Sequence, residues 1–98
     1  MRILFLGDVV GRAGRAAITD RLAALRAAWR VEFCVVNAEN ATSGAGLSTA
    51  HARLLLEAGA DVLTLGDHAF DQKDMLSGIE SEPRILRPLN YAKTAPGR

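Results

Sequence analysis

The sequence predicts an α/β fold built on a parallel sheet, and three observations lead there. Three short apolar runs, ILFL at 3–6, FCVV at 33–36 and DVLTL at 61–65, are of strand length, rich in β-branched or bulky side chains, and free of polar alternation. That is how strands buried on both faces of a parallel sheet read. Segments of helical periodicity separate the runs, so the order is β-α-β-α-β-α. Such an order calls for right-handed crossovers and strands that all run the same way.

Each connecting element has its own signals. In GRAAITDRLAALRAAWR, residues 14–30, the side chains Ile18, Leu22, Leu25 and Trp29 are spaced i, i+4, i+7 and i+11. At 100° per residue they form a stripe about 60° wide, which predicts an amphipathic helix lying on the sheet. Arg12, Arg15, Arg26 and Arg30 flank the stripe on one side and Arg21 on the other, a set that reads as a solvated face with snorkelling stems. In LSTAHARLLLEAGA, residues 47–60, Ser48 stands where an N-cap belongs and Gly59 where a helix reverses at its C-terminus. Leu54 and Leu55 are expected to bury, and His51 to be exposed without a role. A third, short helix is expected from Gln72 to Ile79, stopped by the effect of Pro83 on its predecessor. The remaining segment, RILRPLNYAKTAPGR, begins like a fourth strand.

Size and composition narrow the function classes. At 98 residues, 49% hydrophobic, with 12 basic against 11 acidic residues, the chain is at most one domain with no field to attract nucleic acid. A chain this short buries only about 65% of the surface that its unfolded form exposes, so an unfinished face matters. The single cysteine, Cys34, sits inside an apolar run and reads as a small buried hydrophobe. The N-terminal apolar run is too short for a secretory signal or a membrane span, and the cytoplasm is the expected compartment.

The chemistry gathers at the strand ends. Asp8 follows the first run in LGD, Glu39 and Asn40 follow the second in NAEN, and Asp67 with His68 follows the third in LGDH. Ligands of open parallel sheets bind outside the carboxyl ends of the strands. Neighbouring strands lie about 4.8 Å apart, so these groups converge. A cluster of carboxylates repels itself unless a cation joins it. Two ions about 3.5–4 Å apart, sharing a carboxylate, would suit phosphoryl displacement. Oxygen donors plus an imidazole suit Mn, Fe, Mg or Zn without choosing among them. Gly44 and Gly46, in TSGAGLS, are expected to make a flexible loop that offers backbone N–H groups to an anion.

Each residue also has a plainer reading. Asp8 and Asp67 could cap helices, Glu39 could be a loop residue, and Asn37 and Asn40 could bond their own backbone. A Rossmann-like nucleotide-binding module is the competing fold; Glu39 suits it, but Gly7, Gly11 and Gly14 have the wrong spacing. A folded remnant with structural or subunit-contact duties is the non-enzyme alternative.

Taken together, GDVVGRAGR, NAENATSGAGL, LGDHAFD and EPRILRPLNY…PGR resemble the N-terminal part of the YmdB-type branch of the calcineurin-like metallophosphoesterases, over essentially the whole chain. The resemblance implies the N-terminal half of a four-layer α/β/β/α sandwich and a dinuclear metal centre. It also implies a bacterial cytoplasmic enzyme that hydrolyses small phosphodiesters, notably 2′,3′-cyclic nucleotides. By this likeness Asp8 binds one metal, Glu39 bridges both, Asn40 touches metal or substrate phosphate, Asp67 binds the second metal, and His68 protonates the leaving oxygen. The family usually has Asn where this chain has Asp67. Its chains are over twice as long and carry further histidine ligands, whereas His51 and His68 are the two histidines here. The likeness therefore implies a single partial domain over residues 1–98, inactive alone, and a parallel sheet left partly uncovered is expected to make the chain self-associate or be marginally stable.

Overall fold

The computed structural model describes residues 1–98. Its elements are β1 (Ile3–Leu6), α1 (Gly11–Trp29), β2 (Phe33–Asn37), α2 (Thr49–Ala58), β3 (Val62–Thr64), α3 (Met75–Ser81) and β4 (Ile85–Leu86). The strands form one parallel sheet in the order β1-β2-β3-β4. The expected β-α-β-α-β-α unit is present, and the start of a fourth strand is a two-residue strand in register with β3, Ile85 opposite Leu63.

That strand order decides where the helices go. Successive right-handed crossovers in a sheet that grows in one direction put every helix on the same side. The packing agrees, with α1 against α2 and α2 against α3. Cys34, Val36, Leu63 and Ile85 point into the helical layer and are buried. Ile3, Phe5 and Phe33, on the opposite face, are 63%, 64% and 37% exposed. The expectation of strands buried on both faces is corrected accordingly: these 98 residues supply a covering for one face. The uniformly apolar strands remain as the trace of a face with nothing on it, because periodicity reports composition and not what covers it.

The core lies between sheet and helices, with Leu22, Leu55, Leu63, Val36, Cys34 and Met75 among its largest fully buried members. Ile18 and Leu22 bury as the helical stripe requires, but Trp29, at the end of α1, is 55% exposed. It lies along the start of β1 with Arg2, Ile3 and Leu4, and β1 is an edge strand with no further strand beneath the helix end. Leu54 is also exposed. It is turned by about 100° from Leu55, and Ala52 and Leu55 carry the buried face of α2 instead.

The helix ends follow their sequences unevenly. Ser48 caps α2, its hydroxyl accepting from the His51 N–H at 3.2 Å, and Gly59 reverses the chain with φ 126°. The C-terminus of α1 is a Schellman turn: Val31 N–H donates to Arg26 and Arg30 N–H to Ala27, with Arg30 in the left-handed region at φ 53°. Helix α1 begins at Gly11, ahead of the stretch with the amphipathic stripe, and the φ of 59° at that glycine turns the strand-end loop into the helix. Helix α3 runs later than the expected 72–79 because residues 71–72 bend and 73–74 turn before the helix begins. Glu82, before Pro83, is extended and ends it.

Candidate functional site

The ends of β1, β2 and β3 meet at one edge of the sheet. A Cβ on Gly7 would stand 3.1 Å from Asn37 Cβ, so the loop after β1 lies close on the end of β2. Val9 N–H donates to Asn37 O at 3.3 Å and Gly11 N–H to Asn40 O at 3.1 Å. Across this seam Asn40 Nδ2 donates to both Asp8 carboxylate oxygens, at 2.9 and 3.2 Å. Across the next seam the Glu39 carboxylate lies over Gly66, in the space that a side chain at position 66 would occupy. Residues after β2 thus touch residues after β1 and β3.

Beyond Gly66 the chain turns. The Asp67 side chain is 87% exposed, and its Oδ1 is 4.0 Å from His68 Nε2. His68 Nδ1 is 2.7 Å from Asp71 Oδ2. The Asp71 hydrogen bond, followed by the negative charge of Asp67 and more weakly those of Asp71 and Glu39, pushes the imidazole pKa up from its ordinary value. His68 therefore favours its protonated form more than a free imidazole does.

The plainer readings of the two aspartates do not apply. The N-cap of α1 is Val10, and that of α3 is Asp74. Neither Asp8 nor Asp67 caps a helix, and the Asn40 side chain bonds Asp8 rather than its own backbone. The Rossmann alternative meets a topological objection: dinucleotides bind where strand order reverses, and the order β1-β2-β3-β4 has no reversal. As to the arginines, Arg15 donates to Ala41 O at 2.6 Å, and Arg26 holds Asp61 at 2.8 Å and Gly59 O at 2.6 Å. Those two hold the fold together. Cys34 is buried, and burial pushes its thiol pKa up.

The donors stand as pairs. No three Asp, Glu or His side chains close into a group able to hold an ion as they are placed. The loop after β2 also behaves differently from expectation. Gly44 N–H donates to Asn40 O at 3.1 Å and Gly46 N–H to Glu39 O at 2.6 Å, so both are spent within the loop rather than offered to an anion. Through these bonds Gly44 and Gly46 close the loop that holds Glu39 and Asn40. A groove of about 450 Å³ lies elsewhere, between α2 and α3, lined in part by Arg53, Glu57, Glu82 and Arg84. It includes none of the strand-end residues.

Several residues escaped the sequence reading. Asp71 contacts His68 from three positions along the turn, a spacing visible in DHAFD. His51 is half-buried rather than exposed, its Nδ1 2.7 Å from the buried Thr42 hydroxyl. Burial first and Arg15 second push its pKa down. Gly66 had no signal of its own, since its need comes from a side chain 27 positions away in sequence.

Comparison with known proteins agrees with the fold. The YmdB-like protein family model matches residues 4–98. The 2′,3′-cyclic-nucleotide 2′-phosphodiesterase of Bacillus subtilis is 38% identical over 98 residues, covering all of this chain and 37% of its own. A crystal structure of a hypothetical protein from Thermus thermophilus superimposes with TM-score 0.92 at 43% identity, covering all of this chain and 38% of that one. A crystal structure of a novel phosphatase from Mycoplasma pneumoniae gives TM-score 0.86 at 42% identity, covering 92% and 32%. The chain thus spans about a third of the length of the relatives it matches. On the strength of the family match over residues 4–98, the chain belongs to the YmdB-like protein family.

Proposed function

We propose that this chain carries the strand-end part of a metal-dependent phosphodiesterase centre acting on small phosphodiesters, 2′,3′-cyclic nucleotides foremost, in the cytoplasm. The observation that supports it is the meeting of three strand ends: Asn40 on Asp8, Glu39 over Gly66, and His68 beside Asp67. The name of the Bacillus subtilis relative gives the substrate class.

The donor set fits divalent ions in kind. Asp8, Glu39, Asn40 and Asp67 present oxygen donors on adjacent strand ends, where bound ions would supply charge neutralisation at the phosphoryl oxygens. In this reading Asp8, Glu39 and Asp67 would be the carboxylates that hold the ions. Asn40 orients the Asp8 carboxylate through its amide and would touch the metal or the substrate phosphate. His68 donates a proton to the leaving oxygen. The carboxylates stand as pairs, and the 98-residue chain alone is expected to bind metal weakly and not to turn over substrate.

The test replaces the corresponding N-terminal third of the Bacillus subtilis relative with this chain. The chimera is expected to hydrolyse 2′,3′-cyclic AMP with Mn²⁺. His68→Ala should lower kcat by about 10²–10⁴-fold with metal content retained, while Glu39→Ala should empty the site. A well-folded, metal-loaded chimera without turnover contradicts the proposal, as does an unchanged rate in His68→Ala.

A further inference from the structure

We infer that Asp71 is the positioning residue for His68: it holds the Nδ1 side of the imidazole and thereby makes Nε2 the nitrogen that serves the strand-end site. The inference deepens the role proposed for His68 and rests on it. Two carboxylates flank the ring, and they are not equivalent. Asp71 Oδ2 is within hydrogen-bond distance of Nδ1 at 2.7 Å, whereas Asp67 Oδ1 is 4.0 Å from Nε2, beyond it. The bond to Asp71 fixes the tautomer as well as the ring plane. A neutral imidazole bonded through Nδ1–H must leave Nε2 as the acceptor. A proton taken up or given away at the strand ends then moves through Nε2.

Asp71 is itself held from two sides. Its N–H donates to His68 O at 3.2 Å, closing the turn that brings the two side chains together. The loop after β2 presses on the same turn: a Cβ on Gly46 would stand 3.1 Å from Asp71 Cβ, 3.0 Å from His68 O and 3.1 Å from Gln72 N. Gln72 Nε2 donates back to Ala45 O at 2.8 Å. The buried glycine thus allows the loop that carries Glu39 to lie directly on the turn that carries Asp71, linking the metal-side loop to the orientation of the acid.

The tautomer can be read on the 98-residue chain itself, without metal or substrate, by long-range ¹⁵N–¹H NMR of the imidazole at alkaline pH. The expected spectrum has the Nδ1–H form of His68. Asp71→Ala should shift it towards the Nε2–H form that free imidazoles favour, and Asp67→Ala should leave it as it was. Where Asp71→Ala loses the folded amide spectrum, Asp71→Asn, of the same size, replaces it, and the Nδ1–H preference should weaken. A wild-type spectrum of the Nε2–H form overturns the inference, as does a tautomer that follows Asp67 rather than Asp71. In the chimera, Asp71→Ala should lower kcat by about 10–100-fold with KM nearly unchanged. An unchanged kcat beside an Nδ1–H tautomer that depends on Asp71 would leave the positioning intact and sink the acid role of His68.

Discussion

Alanine at position 66 adds one methyl group and puts it where the Glu39 carboxylate now lies. A Cβ and a non-bonded oxygen keep about 3 Å or more apart, so the carboxylate must withdraw by an ångström or more. The backbone gives no reason for glycine here, because Gly66 is not among the residues with positive φ. Its need is for space. If Glu39 holds metal as proposed, an ångström of displacement is severe, since misplacements of about 1 Å can cost about 10²-fold in function and changes around a metal ligand typically weaken affinity by about 10–100-fold. Gly66→Ala is therefore expected to weaken Mn²⁺ binding by that range in isothermal titration calorimetry of the metal-binding chimera, with little change in Tm. Glu39→Asp retracts the carboxylate by one carbon–carbon bond, about 1.5 Å, and should recover part of the loss when combined with Gly66→Ala. Unchanged Mn²⁺ affinity in Gly66→Ala would show that Glu39 does not bind metal from its position over Gly66.

Two further outcomes follow from the packing and the charges. The bare sheet face, with Ile3, Phe5 and Phe33 exposed, should drive self-association of the chain, because each such side chain gains about 1.5–3 kcal/mol on full burial. Sedimentation velocity should show concentration-dependent association that Phe5→Thr with Phe33→Thr reduces; a wild-type monomer at high concentration would contradict this. The two histidines link stability to pH with opposite signs. His51, its pKa pushed down by burial, resists a proton that the unfolded chain accepts, so its contribution falls as pH drops through the ordinary imidazole value of about 6.5. His68, its pKa pushed up chiefly by the Asp71 hydrogen bond, contributes below that value and loses its contribution as pH rises through its raised pKa. The urea midpoint of His51→Gln should therefore fall less than that of the wild type between about pH 7.5 and about pH 5.5, and an equal fall in both would remove the burial argument.

Some of this was legible in the sequence because local rules act over few residues. Ser48 and Gly59 mark the ends of α2, Pro83 ends α3 through its predecessor, and the apolar runs at 3–6 and 33–36 become strands. The strand ends were legible for a topological reason: in a parallel sheet every strand finishes at the same edge, so Asp8, Glu39 and Asp67 had to be neighbours. What escaped depends on contacts between segments far apart in sequence. Gly46 lies against Asp71, and Gly66 lies beneath Glu39, and no short window of sequence contains both members of either pair. Trp29 fits the helical stripe and is exposed because the sheet stops at β1. Periodicity gives the face that a side chain takes, while the extent of the sheet beneath it is a property of the whole fold.

Paramagnetic broadening by Mn²⁺ is the measurement that tests the central claim most directly, because it needs neither turnover nor a tight site. Trace Mn²⁺ added to ¹⁵N-labelled chain should first broaden the amide signals around Asp8, Glu39, Asn40, Asp67 and His68, and Asp8→Ala should diminish that effect. Those residues share one edge of the sheet, so their signals should fade together. Broadening centred on the groove between α2 and α3 with its Glu57 and Glu82, or spread evenly over the surface and indifferent to Asp8→Ala, would contradict the assignment of the strand ends as a metal site.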